Sequence, residues 1–221
     1  MSEPGLYEAM STTRAVRRLK PDAVPDDVLH RVLEAATWAP SGGNVQPWRV
    51  IVVRDEARKR ALQSLYIGPW QGYVKAHRMG LEGAPEETVA RQERMIAAAD
   101  HLAHHLHEVP ILVVFCFNPK LLAITDAHLD RPSVVGGGSL YPAVQNLLLA
   151  CRAEGLGCTL TTLLCQAEPQ VRELLELPEP WATYACVPIG WPASRGHGPI
   201  RRNPVEKMAY LDGWGRPLPR G

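Results

Sequence analysis

With 221 residues, 46% of them hydrophobic, the chain is long enough for one domain with a full core. Its 24 Lys and Arg against 23 Asp and Glu leave a formal charge of +1, so composition gives no electrostatic case for nucleic acid or an anionic membrane as partner. The longest apolar run, Ile111 to Phe117, falls far short of the about 20 residues that span a bilayer, and Met1-Ser2-Glu3-Pro4 has no signal pattern; the expectation is a cytoplasmic protein.

Five cysteines (Cys116, Cys151, Cys158, Cys165, Cys186) make an odd count without a Cys-x-x-Cys pair, and four lie in or beside apolar runs. They read as small hydrophobes rather than disulfides or zinc ligands. In chain order, Leu6 to Met10 suggests a short helix. It leads into Arg14, Arg17, Arg18 and Lys20, four cations in seven residues ahead of Pro21. A solvated turn competes here with an anion site, because Arg offers a planar fork that grips phosphate by two bonds. Pro25-Asp26-Asp27 then opens a helix running to about Trp38, with Val28, Leu29, Val32, Leu33 and Ala36 on one face.

Ala39-Pro40-Ser41-Gly42-Gly43-Asn44-Val45-Gln46-Pro47-Trp48-Arg49 follows, ahead of Val50-Ile51-Val52-Val53, which reads as a buried strand. The loop carries two glycines for backbone freedom, two prolines for stiffness, and paired donors and acceptors on Ser41, Asn44 and Gln46. It reads either as a plain connector or as a pocket for a flat, heteroatom-rich ring.

Ala57 to Leu65 looks helical, Ile67 to Tyr73 reads as a turn-rich break, and Glu86 to about His107 as a polar helix. His101, His104, His105 and His107 invite a metal reading, but no Glu sits between them as in His-Glu-x-x-His, and Leu102 and Leu106 interleave as on a half-buried helix. No metal is expected. Pro110 to Phe117 is the clearest strand, apolar on both faces and so central in its sheet. Gly136-Gly137-Gly138 lacks the Lys-Ser/Thr of a phosphate loop. Ser139 is a candidate N-cap for an unusually apolar helix to Cys151, which hints at a subunit interface. Beyond Gly155-Leu156-Gly157, Cys158 to Leu163 reads as a strand or strand-like loop. Pro169 to Leu175 reads as a short helix, and Tyr184 to Pro192 as a strand and turn. Leu211 to Gly215 is an extended aromatic tail that would wrap a partner.

The run Pro40-Ser41-Gly42-Gly43-Asn44-Val45-Gln46-Pro47-Trp48, between an amphipathic helix and a β-branched strand, closely resembles the FMN-dependent nitroreductase family. Gly155-Leu156-Gly157, Ile189-Gly190-Trp191-Pro192 and the basic pair ahead of Asn203-Pro204-Val205-Glu206 extend the likeness over nearly the whole chain. The resemblance implies a three-layer α+β fold as a single domain over 1–221, with a central mixed or antiparallel sheet flanked by helices, assembled as an intertwined homodimer. Residues 66–108 would be a variable lid carrying Trp70 or Tyr73 against a small aromatic substrate, and 199–221 a C-terminal arm.

By the same resemblance FMN sits non-covalently in clefts at the subunit interface. Arg14, Ala15, Arg17 and Arg18 would hold its phosphate and ribityl chain together with Arg201 and Arg202. Ser41, Asn44 and Gln46 would read the ring, and the backbone at Thr161, Thr162 and Leu163 would face N5. The implied reaction is ping-pong hydride transfer from NAD(P)H through N5 to a nitroaromatic, quinone or similar acceptor, with no side chain as acid or base. No Rossmann glycine fingerprint follows the first strand, so a permanent dinucleotide site is not indicated, and by the resemblance NAD(P)H would enter, reduce the flavin and leave. The alternatives are an FMN-dependent dehydrogenase or dehalogenase of a specialised substrate, and a non-catalytic flavin-binding protein.

Overall fold

The computed structural model describes residues 4–219. Its sheet has four strands: β1 (Trp48–Val53), β2 (Ile111–Phe117), β3 (Gly157–Cys158) and β4 (Ala182–Gly190), in the order β1-β2-β4-β3. All three pairings are antiparallel. Around it lie α1 (Leu6–Thr12), α2 (Asp26–Thr37), α3 (Glu56–Met79), α4 (Glu86–His104), α5 (Tyr141–Ala153) and α6 (Glu168–Leu174).

The strand period of two divides the core. Ile111, Val113 and Phe115 of β2 pack with α2 and α5 through Val28, Val32, Ala36, Val144 and Leu147. Leu112, Val114 and Cys116 face the other way, against Leu62, Tyr66, Ile96, Leu102 and Val171 of α3, α4 and α6. Helices on both faces of one sheet make three layers, the α+β arrangement the resemblance implied. β2 is an interior strand, buried on both faces as its unbroken apolar run requires. Each large side chain so buried contributes about 1.5–3 kcal/mol relative to exposure.

Several local readings need correction. Ile67 to Tyr73 is no break: Pro69, Gly68 and Gly72 all lie inside α3. Leu62, Tyr66 and Trp70, four residues apart, form one buried stripe, and its burial outweighs the poor helix propensity of proline and glycine. β1 is an edge strand, only half-buried at Val50, Ile51 and Val52. β3 is two residues long, and only Thr161 continues the pairing, by an isolated bridge to Cys186. Ser139 does not cap α5. Leu140 occupies the N-cap after a 3₁₀ turn over Val135–Ser139, and the Ser139 hydroxyl is used elsewhere. The tail is closed rather than extended: Tyr210 bridges Pro217, and the Tyr210 and Trp214 rings lie 5.0 Å apart. Among the described residues, no helix is long and apolar enough to cross a membrane.

Candidate functional site

The segment from Arg14 to Lys20 is an extended strap between α1 and α2, stitched down on both sides. On one side Val16 N–H donates to Cys158 O at 2.9 Å, pairing the strap with β3. On the other, Lys20 N–H donates to Trp191 O at 2.8 Å and Ala193 N–H to Arg18 O at 2.9 Å. Gly157 permits the first contact, since a Cβ there would stand 2.7 Å from Leu19 and from Val16. The chain beyond β4 then returns against the last turn of α1, just ahead of the strap: Gly198 N–H donates to Thr12 O at 3.0 Å and Ile200 N–H to Ser11 O at 3.2 Å. These main-chain bonds carry the two arginine groups, nearly the whole chain apart in sequence, to one place.

That place is a cavity of about 920 Å³ lined by Arg14, Arg17, Arg18, Arg201 and Arg202, with Ala15 in its wall. Sequence reasoning missed Arg94 on α4, which lines it too. None of these six guanidiniums has a carboxylate partner among the described residues, whereas Arg31, Arg54, Arg58 and Arg78 elsewhere do. Clustered like charges without counter-ions repel one another, so the donor set fits a phosphate-bearing ligand. Arg17 is the hub, also lining adjoining cavities of about 290 and 320 Å³. Burial lowers its pKa, opposed by the nearby Tyr66 and Tyr73, yet a guanidinium stays charged in proteins.

The 320 Å³ cavity is mostly apolar, lined by Tyr66, Trp70 and Tyr73 of α3, Ala99 and Leu102 of α4, and Thr159 to Leu163. Trp70 is buried, its Nε1–H donating to Asp100 at 3.0 Å, while half-exposed Tyr73 stacks on it at 5.9 Å. The Tyr66 hydroxyl lies 3.1 Å from Thr161 Oγ1. Burial raises the Tyr66 pKa, with the Thr161 bond opposing, so the phenol stays protonated. Of the three backbone groups expected to face a ring, the Thr161 N–H is engaged with Cys186 O at 2.9 Å and Leu163 N–H with Thr161 Oγ1 at 3.3 Å. The Thr162 N–H is the one with no acceptor among the described residues.

Ser41, Asn44 and Gln46 do not line any of these three cavities. Their loop is held by Gly42 N–H donating to Ser139 Oγ at 3.0 Å and Gln46 N–H to Ser41 Oγ at 2.9 Å. Asn44 and Gln46 adopt φ of 54° and 47°, a left-handed backbone that costs non-glycine residues of order 1–3 kcal/mol each. Both side chains remain exposed, with Gln46 Nε2 donating to Asn44 Oδ1 at 3.2 Å. The histidines of α4 are spent locally. His101 and His105 stack at 4.1 Å, the ring Nδ1 of His105 bonds His101 O, and no metal-holding cluster of His, Cys, Asp or Glu occurs among the described residues.

His197 is the second residue missed. Its Nε2 lies 2.8 Å from Leu156 O, and its Nδ1 accepts from Arg14 N–H at 3.3 Å. Its place between Gly196 and Gly198, ahead of the arginine pair, was the available signal.

A family profile described as "Nitroreductase family" matches residues 10–191. The chain is 35% identical over 199 residues to an NADH dehydrogenase of Thermus thermophilus, covering 88% of this chain and 90% of that one. It is 30% identical over 220 residues to a 5,6-dimethylbenzimidazole synthase of Rhodospirillum rubrum, covering 95% and 89%. Among solved structures, the NADPH:FMN oxidoreductase from Vibrio harveyi, complexed with NAD+, superposes with a TM-score of 0.66 at 18% identity over 95% of this chain and 74% of that one. With the fold, the profile and these relatives in agreement, the chain belongs to the nitroreductase family of oxidoreductases.

Proposed function

We propose that the protein is an FMN-dependent oxidoreductase that takes hydride from NAD(P)H and passes it to a nitroaromatic, quinone or similar small aromatic acceptor. The observation that carries this reading is the meeting of Arg14, Arg17 and Arg18 with Arg201 and Arg202 around one cavity, with the apolar aromatic cavity beside it. The guanidiniums suit the flavin's phosphate dianion, and Arg17 leads from them toward the ring's place between Tyr66, Trp70 and Thr161 to Leu163. FMN, when bound there, supplies hydride acceptance and donation at N5.

The residues of the chain bind and orient. The arginines neutralise the phosphate, Thr162 N–H is free to donate to the ring, and α3 with α4 cover the substrate side as a lid whose Trp70 and Tyr73 exclude water. Tyr66 holds its proton and stays neutral. Ser41, Asn44 and Gln46 read the ring of the flavin bound by a partner subunit, so the working unit is a homodimer. Supporting this, apolar side chains remain bare: Trp214 is 91% exposed, Tyr7 85% and Met208 69%. Five unpaired cysteines support a reducing, cytoplasmic compartment.

The test is spectroscopic. Purified protein should be yellow, bleach on anaerobic mixing with NADPH, and regain colour with a nitrofuran or a quinone. A colourless protein that takes up no FMN sinks the reading. A second reading rests on the 30% identity to a 5,6-dimethylbenzimidazole synthase, whose name denotes a different chemistry: the same flavin site serves one specialised substrate. FMN-loaded protein that fails to oxidise NAD(P)H, but is reduced by dithionite, supports that second reading.

A further inference from the structure

The cavity's two arginine groups belong to separate stretches of chain, and among the described residues three hydrogen-bonded contacts hold residues 197–200 to residues 11–14. Two are main-chain bonds, Gly198 to Thr12 and Ile200 to Ser11. The third is His197, whose ring spans from Leu156 O to Arg14 N–H. Leu156 O can only accept, so Nε2 carries the proton. Arg14 N–H can only donate, so Nδ1 must be bare. Only one of the three protonation states of imidazole satisfies both neighbours. Next to it, the Arg14 guanidinium lies against Gly198, 3.5 Å from where a Cβ would stand, so ring and glycine together set where that guanidinium points.

We propose that His197 is a positioning residue of the anion site: its neutral ring clips the arm bearing Arg201 and Arg202 to the Arg14–Arg18 strap, and protonation of that ring opens the clip and loosens the bound phosphate. The proposal rests on the reading of this cavity as a phosphate site.

The surroundings favour the neutral form. Burial pushes the His197 pKa down, the carbonyl of Leu156 opposes this, and the Arg152 cation adds to the lowering. Arg152 comes from α5 and is itself tied to Glu8 of α1 at 3.3 Å and to Thr12 Oγ1 at 2.9 Å. From the strap comes Arg14, whose guanidinium lies beside Gly198. Arg152 is the charge that acts on the ring, and it disfavours an imidazolium. Because the folded pKa lies below the ordinary histidine value of about 6.5, the clip is intact above that pH and is lost as pH falls through the lower, folded value.

Two measurements test this. Flavin fluorescence quenching gives the FMN Kd from pH 8 to pH 5 for the wild type, for His197→Asn, which keeps an acceptor for Arg14 N–H but cannot titrate, and for His197→Leu. Riboflavin, lacking the phosphate, is the control. In the wild type, FMN affinity should fall about tenfold more across that range than in His197→Asn, the scale of one hydrogen bond. FMN's own phosphate titration is common to both and cancels. His197→Leu should bind FMN about tenfold more weakly at pH 8, with riboflavin unaffected. Equal pH profiles in wild type and His197→Asn overturn the proposal.

The second readout needs no flavin: amide hydrogen exchange at Arg14, Gly198 and Ile200 in the unliganded protein. Corrected for intrinsic rates, protection should drop in the wild type as pH falls through the lowered His197 value and be low at every pH in His197→Leu. Unchanged protection in His197→Leu refutes the clip even if the protein binds FMN. Loss of protection with no FMN binding in any variant keeps the clip and sinks the flavin assignment instead.

Discussion

At the scale of single residues, the cavity's chemistry is set by charges without partners. Elsewhere on the surface Arg31 is paired twice, to Asp27 at 2.9 Å and Glu154 at 2.8 Å, which raises its pKa. Among the described residues the cavity arginines have no such carboxylates, and a phosphate dianion would supply their missing counter-charge. Replacing Arg202 by Ala should therefore weaken FMN binding by about 10- to 100-fold, because a charge-assisted bond contributes about 1.5–3 kcal/mol. Equilibrium dialysis reads this directly, and thermal stability without FMN should be unchanged, since Arg202 donates only to its neighbour's carbonyl at 2.9 Å. Which arginines gather here was legible through the family resemblance, which joined the basic cluster from Arg14 to Arg18 with Arg201 and Arg202. His197 and Arg94 were not. The function of His197 depends on Arg14, 183 residues away, and Arg94 is one more exposed cation on a polar helix until α4 is laid across the cavity.

At the scale of elements, hydrophobic period gave α2, β2, α5 and β4 to within a few residues, because each is driven by its own buried stripe. It failed on α3, where Gly68, Pro69 and Gly72 punctuate the very turns that bury Tyr66 and Trp70. Local propensity and tertiary burial oppose each other there, and a reading confined to neighbours in sequence sees only the first. The conflict is measurable. Gly68 and Gly72 are exposed with open space where a Cβ would go. Glycine is about 1 kcal/mol worse than alanine in a helix interior, so Gly68→Ala with Gly72→Ala should raise the melting temperature by roughly 4–8 °C. A fall in melting temperature would mean that α3 is not helical through this stretch. Gly157 predicts the opposite. Its added methyl meets Leu19 and Val16 at 2.7 Å, and the strap is fixed by backbone bonds on both sides. Gly157→Ala should cost about 1–3 kcal/mol in denaturant unfolding, and it should weaken FMN binding as Arg14 and Arg17 shift with the strap.

At the scale of the whole molecule, one subunit holds the expected site in two parts. The arginines, Tyr66 and the segment from Thr159 to Leu163 gather around joined cavities, while Ser41, Asn44 and Gln46 stand on a strained loop anchored through Gly42 to Ser139, outside them. If the proposed homodimer completes the site, damage to the two parts should complement. One chain carries Arg201→Ala and Arg202→Ala. The other carries Asn44→Gly and Gln46→Gly, where glycine removes both side chains yet accepts their positive φ without strain. Each variant alone should form dimers that bind FMN poorly. Co-expressed and isolated through two different tags, the mixed dimer has one site damaged twice and one site intact. It should therefore recover tight binding of about one FMN per dimer. A site contained within one subunit gives the reverse outcome, because every site in the mixed dimer then keeps one damaged half and no tight binding returns. The titration thus separates a site shared across a two-fold axis from two independent ones without requiring that the natural electron acceptor be known.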